Sequence, residues 1–488
     1  MKHSAKTLPF EELRSLDLQK CASVGDIVDA MRYCAFGARM LGEVAHTMRE
    51  MVSANEPPLI IFDGMENTPL WRLLKKFVAN GWCKRVVQPA AYARQKTHGE
   101  NVLVVGAFSE RDGEAIFRKP KRGLFINPFD MANPGQVRDG FFPDAVFADP
   151  RFILPVIYAA LDEWLNNKPT SVGSFMSGLA QYGGLAVQVA RGAKALEAMM
   201  NDQSCVRFLT VSGAMTVAKM DLIIGDMIEL GLIQAISSTG ALMAHGLVSS
   251  IGLKHYKYNP KYDDTELARR KLNRVTDTLE PESNLDTVEE VIGQVIEKID
   301  GKAMLSPTAF NKLIGKHLAE NYPNDRGILK SAYLHGVPVF VPAFVDSELG
   351  NDIYIHNIKR RRRGKKPILM DLERDSKELI RLVTGSKRFG IFSIGGGVPR
   401  NNVQNVAPLI EIVNERLGPT FPNRRFSYGV RICPDKPHFG HLSGCTYSEN
   451  ESWRKADKNG IYAEMLADAT QVWPLLMKYV MERRSAVK

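Results

Sequence analysis

The stretch RFGIFSIGGGVPRNNVQNVAPLIEIV, residues 388–413, decides the fold class. Its first seven residues form an apolar run without polar alternation, as expected of a strand covered on both faces of a sheet. Three glycines follow, Gly395, Gly396 and Gly397, and then a helical pattern after Pro399. Glycines at such a turn let backbone amides approach a phosphate, and a helix amino terminus adds positive potential. The trio is not the GxGxxG fingerprint, and a tight strand-to-helix turn explains it equally well.

The same grammar recurs outward from this point. VRFLTV (206–211) precedes a helical pattern from about Val217 to Leu230, and IQAISSTGA reads as a strand ending in small residues. LDTVEEVIGQVIEKID and PTAFNKLIGKHLAENY have helical periodicity. VPVFVPAF and FSYGVRIC read as buried strands, and VWPLLMKYVMERR as a closing helix. Apolar strands alternating with helices predict an α/β, Rossmann-like fold, a mainly parallel sheet flanked by helices, with an additional amino-terminal α/β region. Ligands of such sheets bind at the carboxyl ends of the strands. That rule singles out SSTGA (237–241), SIGGGVPRNN (393–402) and the loop PHFGHLSGCTYSENESWRKADKNG (437–460).

The amino-terminal third partly resembles the middle of the chain. SVGDIVDAMRYCAFGARMLGEVAHTMREMV from Ser23 shares apolar spacing with SVGSFMSGLAQYGGLAVQVARGAKALEAMM from Ser171, at an offset of 148 residues. Either a degenerate partial repeat or two helices of similar amphipathicity accounts for this. The upstream copy has no glycine trio and no tryptophan–lysine loop, so the chain divides into an amino-terminal region, 1–165, and a chemistry-bearing part, 166–488.

Composition narrows the class. With 44% apolar and 24% charged residues in 488, the chain has the balance of a soluble protein with a sizeable core. No stretch reaches the roughly 18 apolar residues of a spanning helix, and MKHSAKTLPFEELRSL has no apolar segment of a secretory signal. The six cysteines show no CxxC spacing, so no metal centre and no disulfide framework is expected, and a reducing cytoplasm is the expected compartment. Much of the net charge of +10 lies in KRRRRGKK (359–366), read as a solvated surface loop. Nucleic-acid binding has only that run behind it, without interleaved aromatics.

Taken in order, FLTVSGAMT, SSTGA, PVFVPAFVDSELGNDI, SIGGGVP, YGVRI, SGC…SENESWRK and ADATQVWPLL resemble the deoxyhypusine synthase family and its bacterial relatives, over about residues 168–480. The resemblance implies NAD as cofactor, a polyamine such as spermidine as donor, and a lysine that carries the aminobutyl group as an imine before an acceptor amine takes it. Lys455 matches that nucleophile. Trp453 is expected to disfavour its charged form by desolvation. Glu449 falls on an acidic position of the family loop, with Ser443 and Gly444 nearby. The NAD positions carried over are Ser212, Gly213, Thr239, Gly240, Ala241, Asp346, Gly395, Gly396, Gly397, Asp468 and Ala469. For Asp468, in ADAT, a helix cap is the plain alternative to a ribose contact.

The departures fall on the amine side. The family's glutamate after the TAGG-like turn is His245 here, a residue suited to acid–base work at pH 7. The histidine after the glycine trio is Asn401. Two aspartates that clamp the polyamine become Asn351 and Leu442, with Asp352 adjacent to the first. The expected function is NAD-dependent transfer of an aminobutyl or related alkylamine group to a protein lysine or a free amine, homospermidine-type. The alternative is a non-catalytic NAD-binding paralogue supporting an active partner. The family further implies a homotetramer with shared sites.

Overall fold

The structure, a computed structural model, describes residues 8–94, 99–106, 120–127, 144–299 and 304–485. Apolar strands build two parallel sheets. The first contains β1 (Leu59–Phe62), β2 (Val86–Val87), β3 (Asn101–Val105), β4 (Arg122–Ile126) and β5 (Ala145–Val146), in the order β2-β1-β3-β4-β5. Downstream come β6 (Cys205–Val211), β7 (Ala235–Ser238), β8 (Tyr256–Lys257), β9 (Leu272–Val275) and β10 (Thr278–Pro281). They are followed by β11 (Met304–Leu305), β12 (Val339–Phe340), β13 (Leu369–Met370), β14 (Arg388–Ile394), β15 (Phe426–Ile432) and β16 (Ala456–Met465). The second large sheet has the order β12-β7-β6-β14-β15-β16, every pair parallel. Strands β8, β10 and β9 form a small antiparallel sheet beside it. This is the α/β architecture expected from RFGIFSI and its neighbours. β14, formed by RFGIFSI itself, sits inside the second sheet, buried at every position after Arg388.

Two local expectations are corrected. VPVFVPAF yields only the two-residue β12, because Pro338 and Pro342 lack the amide hydrogens a longer ladder needs. The run KRRRRGKK is not a loop throughout: Lys359 to Arg362 form the last turn of the helix Glu348–Arg362. Cations there complement the helix dipole. Arg360 is buried and donates to the Lys366 carbonyl at 2.8 Å, while Lys359 pairs with Glu289 and Arg363 with Glu297.

The upstream elements recur in the same order downstream. Helix Val24–Met31, capped by Ser23, corresponds to Val172–Leu179, capped by Ser171. The 18-residue helices Phe36–Ser53 and Gly184–Asn201 come next, then β1 and β6. In both sheets the second strand of the series flanks the first.

The amino-terminal helices are not a separate globule. Leu41, Phe62, Leu209 and Trp473 belong to one continuous apolar cluster. A polar lock reinforces it. Asp277, in the turn between β9 and β10, accepts the Phe36 amide at 3.1 and 3.2 Å. The fully buried Arg39 approaches the same carboxylate at 3.2 Å and donates to the Asp277 and Cys34 carbonyls, each at 2.8 Å. Removing one partner of a buried ion pair leaves an uncompensated charge. Arg39→Met is therefore expected to lower the unfolding free energy by about 3–5 kcal/mol, and adding Asp277→Asn to recover part of the loss. Urea unfolding followed by circular dichroism measures both, and an unchanged midpoint in Arg39→Met would show that the lock is energetically idle.

Candidate active site

Because the second sheet is parallel, its strands all end on one edge, and the expected binding positions gather there. A cavity of about 760 Å³ opens at that edge, lined by Ser212, Gly213, Gly395, Gly396, Gly397, Ser443, Asp468 and Ala469. Gly395 has φ +75°, and a Cβ on it would stand 2.2 Å from Ser212 Oγ, so the turn admits no side chain. Ser212 Oγ in turn accepts the Gly396 amide at 2.9 Å. The helix Gly397–Gln404 starts at the cavity and turns its amino terminus toward it. Asp468 sits at the carboxyl end of β16 and accepts the Thr470 amide and hydroxyl, each at 2.7 Å, so it also caps the helix Ala469–Ser485. Burial pushes its pKa up, against those hydrogen bonds.

No sequence pattern points to the opposite wall. Phe36, Gly37, Met40 and Phe147 come from the amino-terminal region, and Val275 and Thr276 from the turn beside Asp277. Gly37 is tight against the site: a Cβ there would lie 2.5 Å from Asp468 Oδ2. No motif marks these residues, since their role depends on how two distant segments pack.

Thr239, Gly240, Ala241 and Asp346 form a neighbouring group outside the cavity lining. Thr239 caps the helix Gly240–Ser250, and a Cβ on Gly240 would meet Ser347 Oγ at 2.2 Å, next to the exposed Asp346.

Lys455 occupies a different corner. The chain after β15 runs back across the sheet, and Lys455 stands immediately before β16, its amide bonded to the Asn450 carbonyl at 2.9 Å. The side chain is buried, and Nζ donates to Asn401 Oδ1 at 2.8 Å. Asn401 lies one helical turn beyond Gly397, so the amine stands one turn from the cavity rather than in its lining. Burial lowers the Lys455 pKa, and the buried Arg400 guanidinium lowers it further. Arg400 is fixed by the Cys445 carbonyl at 2.8 Å and the Tyr447 ring at 5.0 Å. The physical cause thus differs from the one expected of Trp453. The indole is 67% exposed, and Nζ lies 5.7 Å from its ring centroid, a cation–π geometry that favours the ammonium.

The remaining candidates divide. Glu449 is exposed in the short helix Tyr447–Ser452, and Gly444 is buried beside Ser443, whose hydroxyl bonds to Asp435. Asn351 and Leu442 are both exposed. Asp352 is buried without a hydrogen-bond or ion-pair partner among the described residues, and burial, then Glu289 and Glu348, push its pKa up to about 7. His245 is brought to Glu280 and Glu348, with Nδ1 2.6 Å from Glu280 Oε2 and Nε2 3.8 Å from Glu348 Oε1. Burial alone would depress its pKa; Glu280 and then Glu348 reverse this and hold it above the usual value.

Comparison with known proteins identifies a family. The deoxyhypusine synthase family profile matches residues 174–480. Probable deoxyhypusine synthase 2 of Methanosarcina acetivorans is 32% identical over 321 residues, covering 66% of this chain and 90% of the relative. The deoxyhypusine synthase-like protein of Chlorobaculum parvum is 30% identical over 302 residues, covering 62% and 83%. With more than half of its length matched by the family profile, the chain belongs to the deoxyhypusine synthase family.

Proposed function

We propose that this transferase moves the aminobutyl or a related alkylamine group of a polyamine to an acceptor amine, with NAD as cofactor and Lys455 as the carrier. The observation that carries the reading is the environment of Lys455: a buried amine whose Nζ is held by a neutral amide and flanked by a second buried cation. A lysine in an ion pair is kept charged, whereas this one is biased toward the nucleophilic free base.

The cavity suits a dinucleotide in size, in its glycine-lined turn and in the helix terminus aimed at it. Ser212, Gly213 and the glycine trio would hold the phosphates, and Asp468 a ribose hydroxyl. NAD, when bound, supplies the acceptor for a hydride taken from the donor amine and returns it to the product. The chain's own part is nucleophilic. Neutral Lys455 attacks the carbon of the resulting substrate imine, the bond to the departing amine breaks, and that amine leaves with a proton. The new lysine imine is then attacked by the acceptor, which frees Lys455. Asn401 orients Nζ without adding charge.

The amine-binding end differs from that of the parent family. Asp352 and Glu449 remain to meet an ammonium group where Asn351 and Leu442 offer no charge, which favours a donor or acceptor other than the parent family's. The same loss supports the second reading, a non-catalytic NAD-binding paralogue. The exposed Phe439, Leu442 and Trp453 support a partner subunit covering this loop, as in a tetramer with shared sites. No described helix is long and apolar enough to cross a membrane.

Three outcomes are expected. Lys455→Arg abolishes transfer while sparing NAD binding, since a guanidinium with a pKa above about 12 offers no neutral amine. Borohydride added during turnover with spermidine traps a mass adduct on the 448–460 peptide of the wild type and none on the variant; full transfer by Lys455→Arg would overturn the mechanism. Transfer rises with pH as Lys455 loses its proton. Asn401→Asp sets a carboxylate beside Nζ, stabilises the ammonium and moves this rising limb to higher pH; a limb that stays put would separate Lys455 from the rate. Asp468→Ala weakens NAD binding in calorimetry, and equal affinity would remove the ribose assignment.

A further inference from the structure

The proposed transfer leaves unused a buried group elsewhere in the molecule. His245 lies in the helix Gly240–Ser250, His255 just before β8, and Glu280 in β10. His255 and Glu280 are fully buried and His245 nearly so, with its side chain 18% exposed. His245 Nδ1 stands 2.6 Å from one Glu280 oxygen, and His255 Nε2 stands 3.4 Å from the other. Neither contact has hydrogen-bond alignment: His245 Nδ1, His255 Nε2 and Glu280 Oε1 are buried atoms with no hydrogen-bond partner among the described residues. Elsewhere in the same protein a histidine and a glutamate do align, His356 Nε2 bonding to Glu289 at 2.9 Å. One ligand atom from each of the three residues falls within 4.8 Å of the others. Glu280 thus meets both imidazoles as close charge contacts without aligned hydrogen bonds, and buried polar atoms in that state call for an explanation, of which a bound ion is one.

We propose that His245, His255 and Glu280 form a three-ligand site for a divalent transition-metal ion of the zinc class. Two imidazoles and a carboxylate make the mixed nitrogen–oxygen set that zinc and its neighbours take. With Nδ1 of His245 on the ion, its Nε2–H faces Glu348 Oε1, the carboxylate backing typical of a ligating histidine. On His255 the free nitrogen, Nδ1, lies 2.9 Å from Lys219 Nζ, which also reaches Ser249 Oγ at 3.1 Å. Lys219 is buried, and its ammonium is the competitor of the ion, since either cation can compensate Glu280. The ion would tie the helix Gly240–Ser250 to the small antiparallel sheet. That sheet carries the Val275–Thr276 wall of the cavity and the Asp277 lock. This inference goes beyond the transfer reading, because its three residues are none of those that hold Lys455 or line the cavity.

The test is equilibrium dialysis of untagged protein, stripped with chelator, against zinc alone, with cobalt absorption as a report on ligand geometry. One ion per chain is expected in the wild type and in Lys455→Arg, with a rise of the unfolding temperature when zinc is added. Glu280→Gln and His245→Asn, each checked for native circular dichroism, are expected to lose about tenfold or more in affinity and the thermal shift. Lys219→Met is expected to bind more tightly, because the competing charge is gone. No bound zinc in the wild type, or binding that survives both ligand substitutions, overturns the site. Loss of transfer in Lys455→Arg with zinc bound leaves it intact.

Discussion

Asp277 is a single carboxylate with two obligations that reach back some 240 residues. It receives the Phe36 amide and the Arg39 guanidinium, and so fixes where the helix Phe36–Ser53 starts. That start sets Gly37 against Asp468 and puts Phe36 and Met40 across from the glycine trio. The cavity is thus a joint product of both sheets: one supplies strand ends and backbone amides, the other an apolar wall. A carboxylate that binds no ligand determines the shape of the place where a ligand would lie. Its energetic logic is that of any buried charge, tolerable only while its partners are in place.

At Lys455 the electrostatics run the opposite way. Where Asp277 and Arg39 compensate each other, Lys455 and Arg400 are two buried cations held by neutral groups, an amide oxygen, a carbonyl and aromatic rings, with no carboxylate paired to either among the described residues. Such a pair bears against protonation, and the lysine is the member that can yield. Asn401 therefore puts a neutral, non-titrating acceptor in contact with the amine. Asp352 shows a related tension: burial, then Glu289 and Glu348, push its pKa up to about 7.

Much of this is legible in the sequence, for identifiable reasons. RFGIFSI and FSYGVRIC are apolar at nearly every step, so their strands and parallel pairing come from pattern alone. The glycine trio, SSTGA and ADAT are local turns, and the structure puts each at a strand's carboxyl end. What escapes a reading of the sequence is what depends on distance. Nothing in FGARM signals that its glycine meets an aspartate more than 400 residues later. His245, His255 and Glu280 have no motif spacing, and in the sequence His245 suggests acid–base work only through the resemblance. In the basic run, charge density points to a loop while helix propensity prevails. Adjacency alone gives the indole of Trp453 a desolvating role, whereas packing around Arg400 and Asn401 supplies the burial.

The lock between Arg39 and Asp277 also imposes an order on how the protein is made. The two residues are 238 positions apart, and at about 5–20 residues per second a ribosome needs roughly 12–48 s to travel between them. For that interval the Arg39 guanidinium waits without its carboxylate, while the helices Val24–Met31 and Pro150–Asn166 can already cover part of the apolar face of Phe36–Ser53. The first sheet can pair within itself during this wait, but its junction to the rest of the molecule cannot close until the turn before β10 has been synthesised. The amino-terminal region is thus made well before the charge that fixes its junction to the second sheet.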